Sequence, residues 1–209
     1  MQENPGLTQN KENNMRVIGL TGGVGSGKSL ILSILKEDYN ADVIMADQVA
    51  KEIMELGRPG YEAVTGFFGT RILKKDGSID RTVLAGIIFQ DENARKKVDG
   101  AIHPLVWKTI RNQISASQAP LIVVEFAIMS EEMGDSFDEM WYVYTSEENR
   151  LRRLEENRGY TRTHSEHIMA SQASEAEFRA HCSRVIDNNG SAADVRVQLA
   201  KILKDRGQK

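Results

Sequence analysis

Apolar residues along this chain come in two alternating rhythms. Residues 16–21 (RVIGLT) and 42–46 (DVIMA) are short apolar runs of strand length, and so are 121–126 (LIVVEF) and 140–144 (MWYVY). The last two are apolar almost without interruption, which predicts strands covered on both faces, as in a parallel sheet. Between the runs the period lengthens. Residues 28–38 place apolar side chains at 30, 31, 32, 34 and 35, the face of a helix turned to a core. Helical spacing over 47–56 stops at Gly57 and Pro59. A mixed segment follows over 67–81 (FFGTRILKKDGSIDR), with a turn at Asp76-Gly77. Two further helices are expected near 81–89 and 91–117, the second interrupted near His103-Pro104. Residues 146–156 and 163–182 are charged and helical in character, with Gly159 between them. Residues 185–191 (VIDNNGS) read as a short strand and a turn, and 192–206 as a closing amphipathic helix. Strands alternating with helices predict an α/β fold on a parallel sheet. The stretches 48–118 and 151–182 are then helical insertions between sheet strands.

Composition changes this picture little. The 209 residues suit one substantial domain, with or without insertions, and 40% hydrophobic residues supply a core. A net charge of −3 offers no general field for nucleic acid or a membrane surface, and neither is expected as a partner. Any anionic ligand must be held by local cations. One cysteine, Cys182, excludes an internal disulfide and a cysteine-rich zinc site, and fits a reducing compartment. No apolar run reaches about 18 residues, so no transmembrane span is expected. Residues 1–14 are polar and lack the apolar segment of a signal peptide. They read as a flexible leader to a cytoplasmic protein, a monomer or weak homo-oligomer.

The concentrated chemistry is at Gly22-Gly23-Val24-Gly25-Ser26-Gly27-Lys28-Ser29, which satisfies G-x-x-x-x-G-K-[ST] between a predicted strand and a predicted helix. A loop that wraps a phosphate chain needs backbone N–H groups turned inward and no Cβ in the way. The helix that begins near Lys28 adds its positive end, Lys28 a mobile charge for the β- and γ-phosphates, and Ser29 an oxygen for Mg²⁺. With Leu30 in the first helical turn, residues 22–30 form a candidate ATP site.

The loop names a nucleotide and not a reaction. A regulatory GTPase needs a late Asn-Lys-x-Asp segment; the one Asn-Lys here is Asn10-Lys11, with Asn13 in the Asp position. A small kinase fits better. It needs an acceptor-binding insertion, an acid at the acceptor hydroxyl and arginines over the phosphates. Asp47, ending the second strand, can be that acid or the N-cap of helix 47–56. Arg150, Arg152, Arg153, Arg158 and Arg162 can be phosphate clamps or a solvated face paired with Glu147, Glu148, Glu155 and Glu156.

Taken in order, GLTGGVGSGKS, MADQVAKEI, DGSIDR, IF at 88–89, IHPLV at 102–106 and VIDNNGS resemble the dephospho-CoA kinase family, over about residues 16–205. The resemblance implies a P-loop nucleoside-monophosphate-kinase-like core, an acceptor-binding insertion and a lid. It implies phosphorylation of the ribose 3′-hydroxyl of dephospho-CoA by ATP, with Mg²⁺, as the last step of coenzyme A biosynthesis. By the same resemblance Asp47 is the acid at the acceptor hydroxyl, and Arg81 and His103 line the acceptor side. Arg153 and Arg158 are lid arginines, and Asn188 and Gly190 lie near the adenine. Read bare, Arg81 is equally an ion-pairing residue at a helix start, His103 a packed histidine, and 188–190 a turn. The core is then 15–47, 119–150 and 183–209, the insertion 48–118 and the lid 151–182. Four departures stand out. Met45-Ala46-Asp47 replaces Asp-Ala-Asp, and Ala127-Ile128-Met129 replaces Pro-Leu-Leu. The second lid arginine moves from 157 to Arg158, a turn of about 100° on a helix. His167 replaces an arginine ahead of the retained Gln172. Another small-molecule kinase, or an ATP-binding regulator that transfers nothing, are the other readings.

Overall fold

The computed structural model describes residues 15–127 and 136–205. The leader 1–14, Ile128-Met129 and residue 206 of the expected 192–206 segment lie outside the described residues; the helix there ends at Lys204. Five strands, β1 (Arg16–Thr21), β2 (Asp42–Met45), β3 (Leu121–Glu125), β4 (Glu139–Tyr144) and β5 (Arg184–Asp187), form one parallel sheet in the order β2-β3-β1-β4-β5. From β1 the chain goes to β2 and β3 on one side, then crosses to β4 and β5 on the other. Ligands bind at such a reversal, beyond the carboxyl ends of the strands. The loop at 22–27 leaves β1 at that end.

The chain divides into two compact units, one formed by residues up to Val43 and from Ser117 onward, the other by Ile44–Ala116. The first contains most of the sheet with α1 (Lys28–Tyr39), α6 (Glu147–Arg158), α7 (Arg162–Ala170), α8 (Glu175–His181) and α9 (Ala192–Lys204). Its core joins Ile18, Leu20, Val123, Trp141, Val143 and Ile186 of the sheet to Ile31, Ile34 and Leu35 of α1 and Val195 and Leu199 of α9. All five residues of β3 are buried, which is why that run reads as continuous apolarity. Each such side chain removed from water contributes about 1.5–3 kcal/mol. Gly19 lets side chains close over the strand: a Cβ there would lie 2.5 Å from Met140 Sδ, which would have to shift.

The second unit contains α2 (Ala46–Ile53), α3 (Pro59–Phe68), a 3-10 turn (Gly69–Ile72), α4 (Arg81–Gln90) and α5 (Glu92–Ala116). Val49, Ile53, Val64, Phe68, Ile72, Leu84, Val98, Ile102, Trp107 and Ile110 are among its buried residues. The Asp76-Gly77 turn is present, closed by Lys74 N–H to Ser78 O at 2.8 Å, with Leu73 and Ile79 bridged beside it. Asp80 caps α4 by accepting from the Thr82 and Val83 N–H groups.

Four elements differ from the sequence expectation. Helix α3 was not foreseen: the helix before it already ends at Ile53, ahead of Gly57 and Pro59, and Pro59 sits in the first turn of the next, where its missing N–H costs nothing. Helix α5 is continuous through Pro104. Pro104 has no N–H to give the carbonyl of Gly100, and both residues are exposed, so that carbonyl is not buried without a partner. The helical stretch 163–182 is two helices, because Ser174 and Glu177 form a capping box that starts α8 afresh. Helix α2 begins at Ala46 with Met45 as N-cap, so Asp47 lies inside the first turn and is not the cap.

Candidate active site at the glycine-rich loop

Helix α1 starts with no side-chain cap and no acid in its first turn, and its N-cap, Gly27, is left-handed at φ 83°. An uncapped helix start leaves N–H groups for an anion. A Cβ at Gly27 would also lie 2.3 Å from Asn188 Nδ2, so space and dihedral both demand glycine. Gly22, Gly23 and Ser26 are buried, while Val24 and Gly25 lie at the loop's partly exposed corner.

The loop's carbonyl groups are held from outside. Ser26 O accepts from Asn188 Nδ2 at 2.7 Å, Thr145 Oγ1 at 2.9 Å and Arg153 Nη1 at 3.4 Å. Val24 O accepts from Arg150 Nε at 2.8 Å. In a planar trans peptide the C=O and the following N–H point opposite ways. Fastening the carbonyls of Val24 and Ser26 therefore turns the N–H groups of Gly25 and Gly27 away from α6 and the β5 turn. The clamped carbonyls thus aim the Gly25 and Gly27 N–H groups to the inside of the loop. Ser26 Oγ is buried without a partner among the described residues, one more polar atom for an anion to satisfy.

Lys28 Nζ donates to Gly22 O at 2.7 Å and lies 3.5 Å from Glu125 Oε1. Glu125 is buried at the carboxyl end of β3, and the register Leu20↔Glu125 sets it beside the root of the loop. Sequence reasoning missed Glu125. Its signal is an acid that closes the apolar run LIVVE, the pattern of a strand delivering a carboxylate to a phosphate loop. Thr145 was missed too, and nothing in its neighbourhood announces it. Ser29 is exposed at the first turn of α1, with Leu30 partly buried behind it.

The arginine cluster separates. Arg150 and Arg153, three apart on α6, both face the loop. Arg153 Nη2 also donates to Asn188 O at 2.7 Å. Burial pulls the Arg150 guanidinium below its usual pKa. Arg152 bonds Asn149 and Arg162 pairs with Glu166, both at the surface. Helix α6 runs on through Arg158 to Gly159, a left-handed C-cap at φ 64°, so the helix does not end ahead of Arg158. Arg158 is exposed, as is His167. Asn188 is fully buried, whereas Gly190 is exposed just before Ser191, the N-cap of α9.

In the second unit Asp47 is exposed in the first turn of α2. Arg81, the first residue of α4, donates to Lys51 O at 3.1 Å, which ties α4 to α2. His103 is exposed on α5 beside Pro104 and is not a packed histidine.

Among the described residues no cluster of histidine, cysteine or acids could hold a metal ion by itself. No helix there is long and apolar enough to cross a membrane. Cys182 is half-buried, and burial pushes its thiol up to about 11, which keeps it protonated and unreactive at neutral pH.

The comparisons agree with the geometry. A family model described as dephospho-CoA kinase matches residues 16–194. A dephospho-CoA kinase of Geobacter sulfurreducens is 38% identical over 162 residues, 76% of this chain and 82% of that one. The crystal structure of a Thermus thermophilus protein superposes with a TM-score of 0.79 at 26% identity, over 93% of this chain and 99% of its own. A dephospho-CoA kinase from Campylobacter jejuni superposes with a TM-score of 0.66 over 90% and 96%, and at 23% identity it speaks to the fold alone. With the phosphate loop, its strand and its outer clamps all inside the matched span, this chain belongs to the dephospho-CoA kinase family.

Proposed function

We propose that this protein transfers the γ-phosphoryl group of ATP to the ribose 3′-hydroxyl of dephospho-CoA, giving CoA and ADP in the cytoplasm. The observation that carries the reading is the loop at 22–29 in a chain of this family, with its carbonyl groups clamped outward and its helix start uncapped.

The roles follow from what each side chain can do. Loop N–H groups hold the phosphates, and Lys28, on its flexible stem, follows charge toward the β–γ bridge. Mg²⁺, when bound, neutralises charge on the β- and γ-phosphates, and Ser29 is the hydroxyl that would hold it. Asp47 orients the acceptor hydroxyl and takes its proton as the phosphorus–oxygen bond forms. Arg153, at the loop's flank, and Arg158, on the exposed end of α6, stabilise the transferring group. Residues 44–116 form the acceptor-binding unit, with Arg81 and His103 on the acceptor. Residues 151–182 are the lid, and Asn188 and Gly190 border the adenine.

The test is ADP release from Mg-ATP with and without dephospho-CoA, beside a panel of nucleosides and sugars. ADP formed only with dephospho-CoA, with CoA as the second product, is expected. Turnover that prefers another hydroxyl acceptor would make it a different small-molecule kinase. Tight ATP binding without acceptor-dependent turnover would make it a regulator.

A further inference from the structure

One residue of the loop, Val24, is held at both of its peptide groups by residues far along the chain. Val24 N–H donates to Gln172 Oε1 at 2.9 Å, and Val24 O accepts from Arg150 Nε at 2.8 Å. The two holders also meet each other: Arg150 Nη2 donates to the same Gln172 Oε1 at 3.0 Å. The result is a closed ring of three hydrogen bonds around residue 24. Val24 is the corner of the loop, since Ser26 N–H closes back on Gly23 O at 3.1 Å. Its own N–H and C=O take no part in that turn's hydrogen bond, and among the described residues they are met by side chains from outside the loop. Arg150 lies on α6 and Gln172 in the break between α7 and α8. A Cβ at Gly23 would lie 2.3 Å from Arg150 Nη2, so Arg150 rests flat on the loop.

We propose that Gln172 and Arg150 are positioning residues for the ATP phosphates. By holding the two peptide groups that meet at Val24, they set the aim of the Gly25 N–H, which shares a peptide plane with Val24 O, and tie the 150–172 segment to the nucleotide loop. The inference rests on ATP as the phosphoryl donor. Neither side chain needs to touch the nucleotide. What they contribute is a loop already in its binding shape, so their loss weakens nucleotide affinity first and leaves the acceptor's affinity alone.

Gln172→Met removes the acceptor while keeping the length of the side chain, and Gln172→Glu keeps an oxygen for both Val24 N–H and Arg150. Four readouts are compared with wild type: ATP binding without acceptor, KM for each substrate, the unfolding temperature, and amide hydrogen exchange over residues 22–27 without nucleotide. Gln172→Met is expected to weaken ATP binding and raise the KM for ATP about tenfold or more, since it removes two of the ring's three hydrogen bonds. KM for dephospho-CoA should stay within about twofold, the unfolding temperature should hold, and exchange over 22–27 should quicken. Gln172→Glu is expected to restore most of the affinity. Unchanged ATP binding in Gln172→Met overturns the proposal. So does equal damage in Gln172→Glu, or a loss that follows a fall in unfolding temperature. If wild-type protein binds no ATP, the donor reading fails, and hydrogen exchange alone judges the latch: unchanged exchange in Gln172→Met sinks it.

Discussion

Burial separates the side chains that shape the loop from those that meet solvent. Asn188 and Thr145 are buried with their donors on backbone carbonyls, so they shape the loop. Asp47 and Arg158 are exposed, and it is the proposed reaction that gives each a substrate to meet. Asp47→Asn keeps the shape of the side chain and removes its basicity. Turnover should fall by about 10²-fold or more, while ATP affinity stays within about twofold. Steady-state kinetics with direct ATP titration checks this, and wild-type turnover would remove Asp47 from the mechanism. Arg158→Ala should lower kcat about tenfold without moving the unfolding temperature, since surface changes cost little stability. An undiminished rate would leave Arg158 a surface arginine. Most loop residues were legible because G-x-x-x-x-G-K-[ST] is local. Glu125 was legible in principle, as the acid at the end of an apolar run. Thr145 was not, because its partner is 119 residues away and its own neighbourhood has no pattern.

At the scale of elements, strands were easier to read than helices. Buried parallel strands are apolar on both faces, so their limits stand out without any knowledge of their partners. Helix limits depend on caps and breaks whose outcome is a competition. Pro104 weakens α5 but does not divide it, because its freed carbonyl lies at an exposed position. A charged run at 163–182 looks like one helix, yet the Ser174–Glu177 box wins locally and restarts the chain. Ser174→Ala should therefore cost about 1 kcal/mol, measurable as a lower denaturant midpoint at unchanged m-value. The break it creates also holds Gln172, so faster hydrogen exchange in α8 should accompany the loss.

For the whole molecule, pH enters through groups whose ionisation differs between the folded and unfolded chain. Burial holds the Cys182 thiol near 11, above its value of 9.0 in the open chain. Between these values the unfolded state releases a proton that the folded state keeps, so stability is complete below pH 9 and declines toward pH 11. Denaturation across that range should show the decline, and Cys182→Ala should flatten it; equal slopes would clear Cys182 of the effect. At the other end of the scale, burial favours a neutral Glu139. The Trp141 indole and the Arg16 and Arg184 cations outweigh that and hold the carboxyl below its usual value. Its contribution is present above about pH 4.5 and is lost as the solution becomes more acid.

By itself the sequence determined the α/β alternation, the parallel sheet, the phosphate loop and the family, because each rests on neighbours within a few residues or on motifs in fixed order. Only the tertiary structure decided what holds the loop in shape. Arg150, Arg153, Gln172 and Asn188 reach Val24 and Ser26 across 126 to 162 positions of chain. Such contacts leave no period in the sequence. They exist because the sheet brings the ends of β1, β4 and β5 together, and a backbone carbonyl can be clamped by any donor that the fold delivers to it.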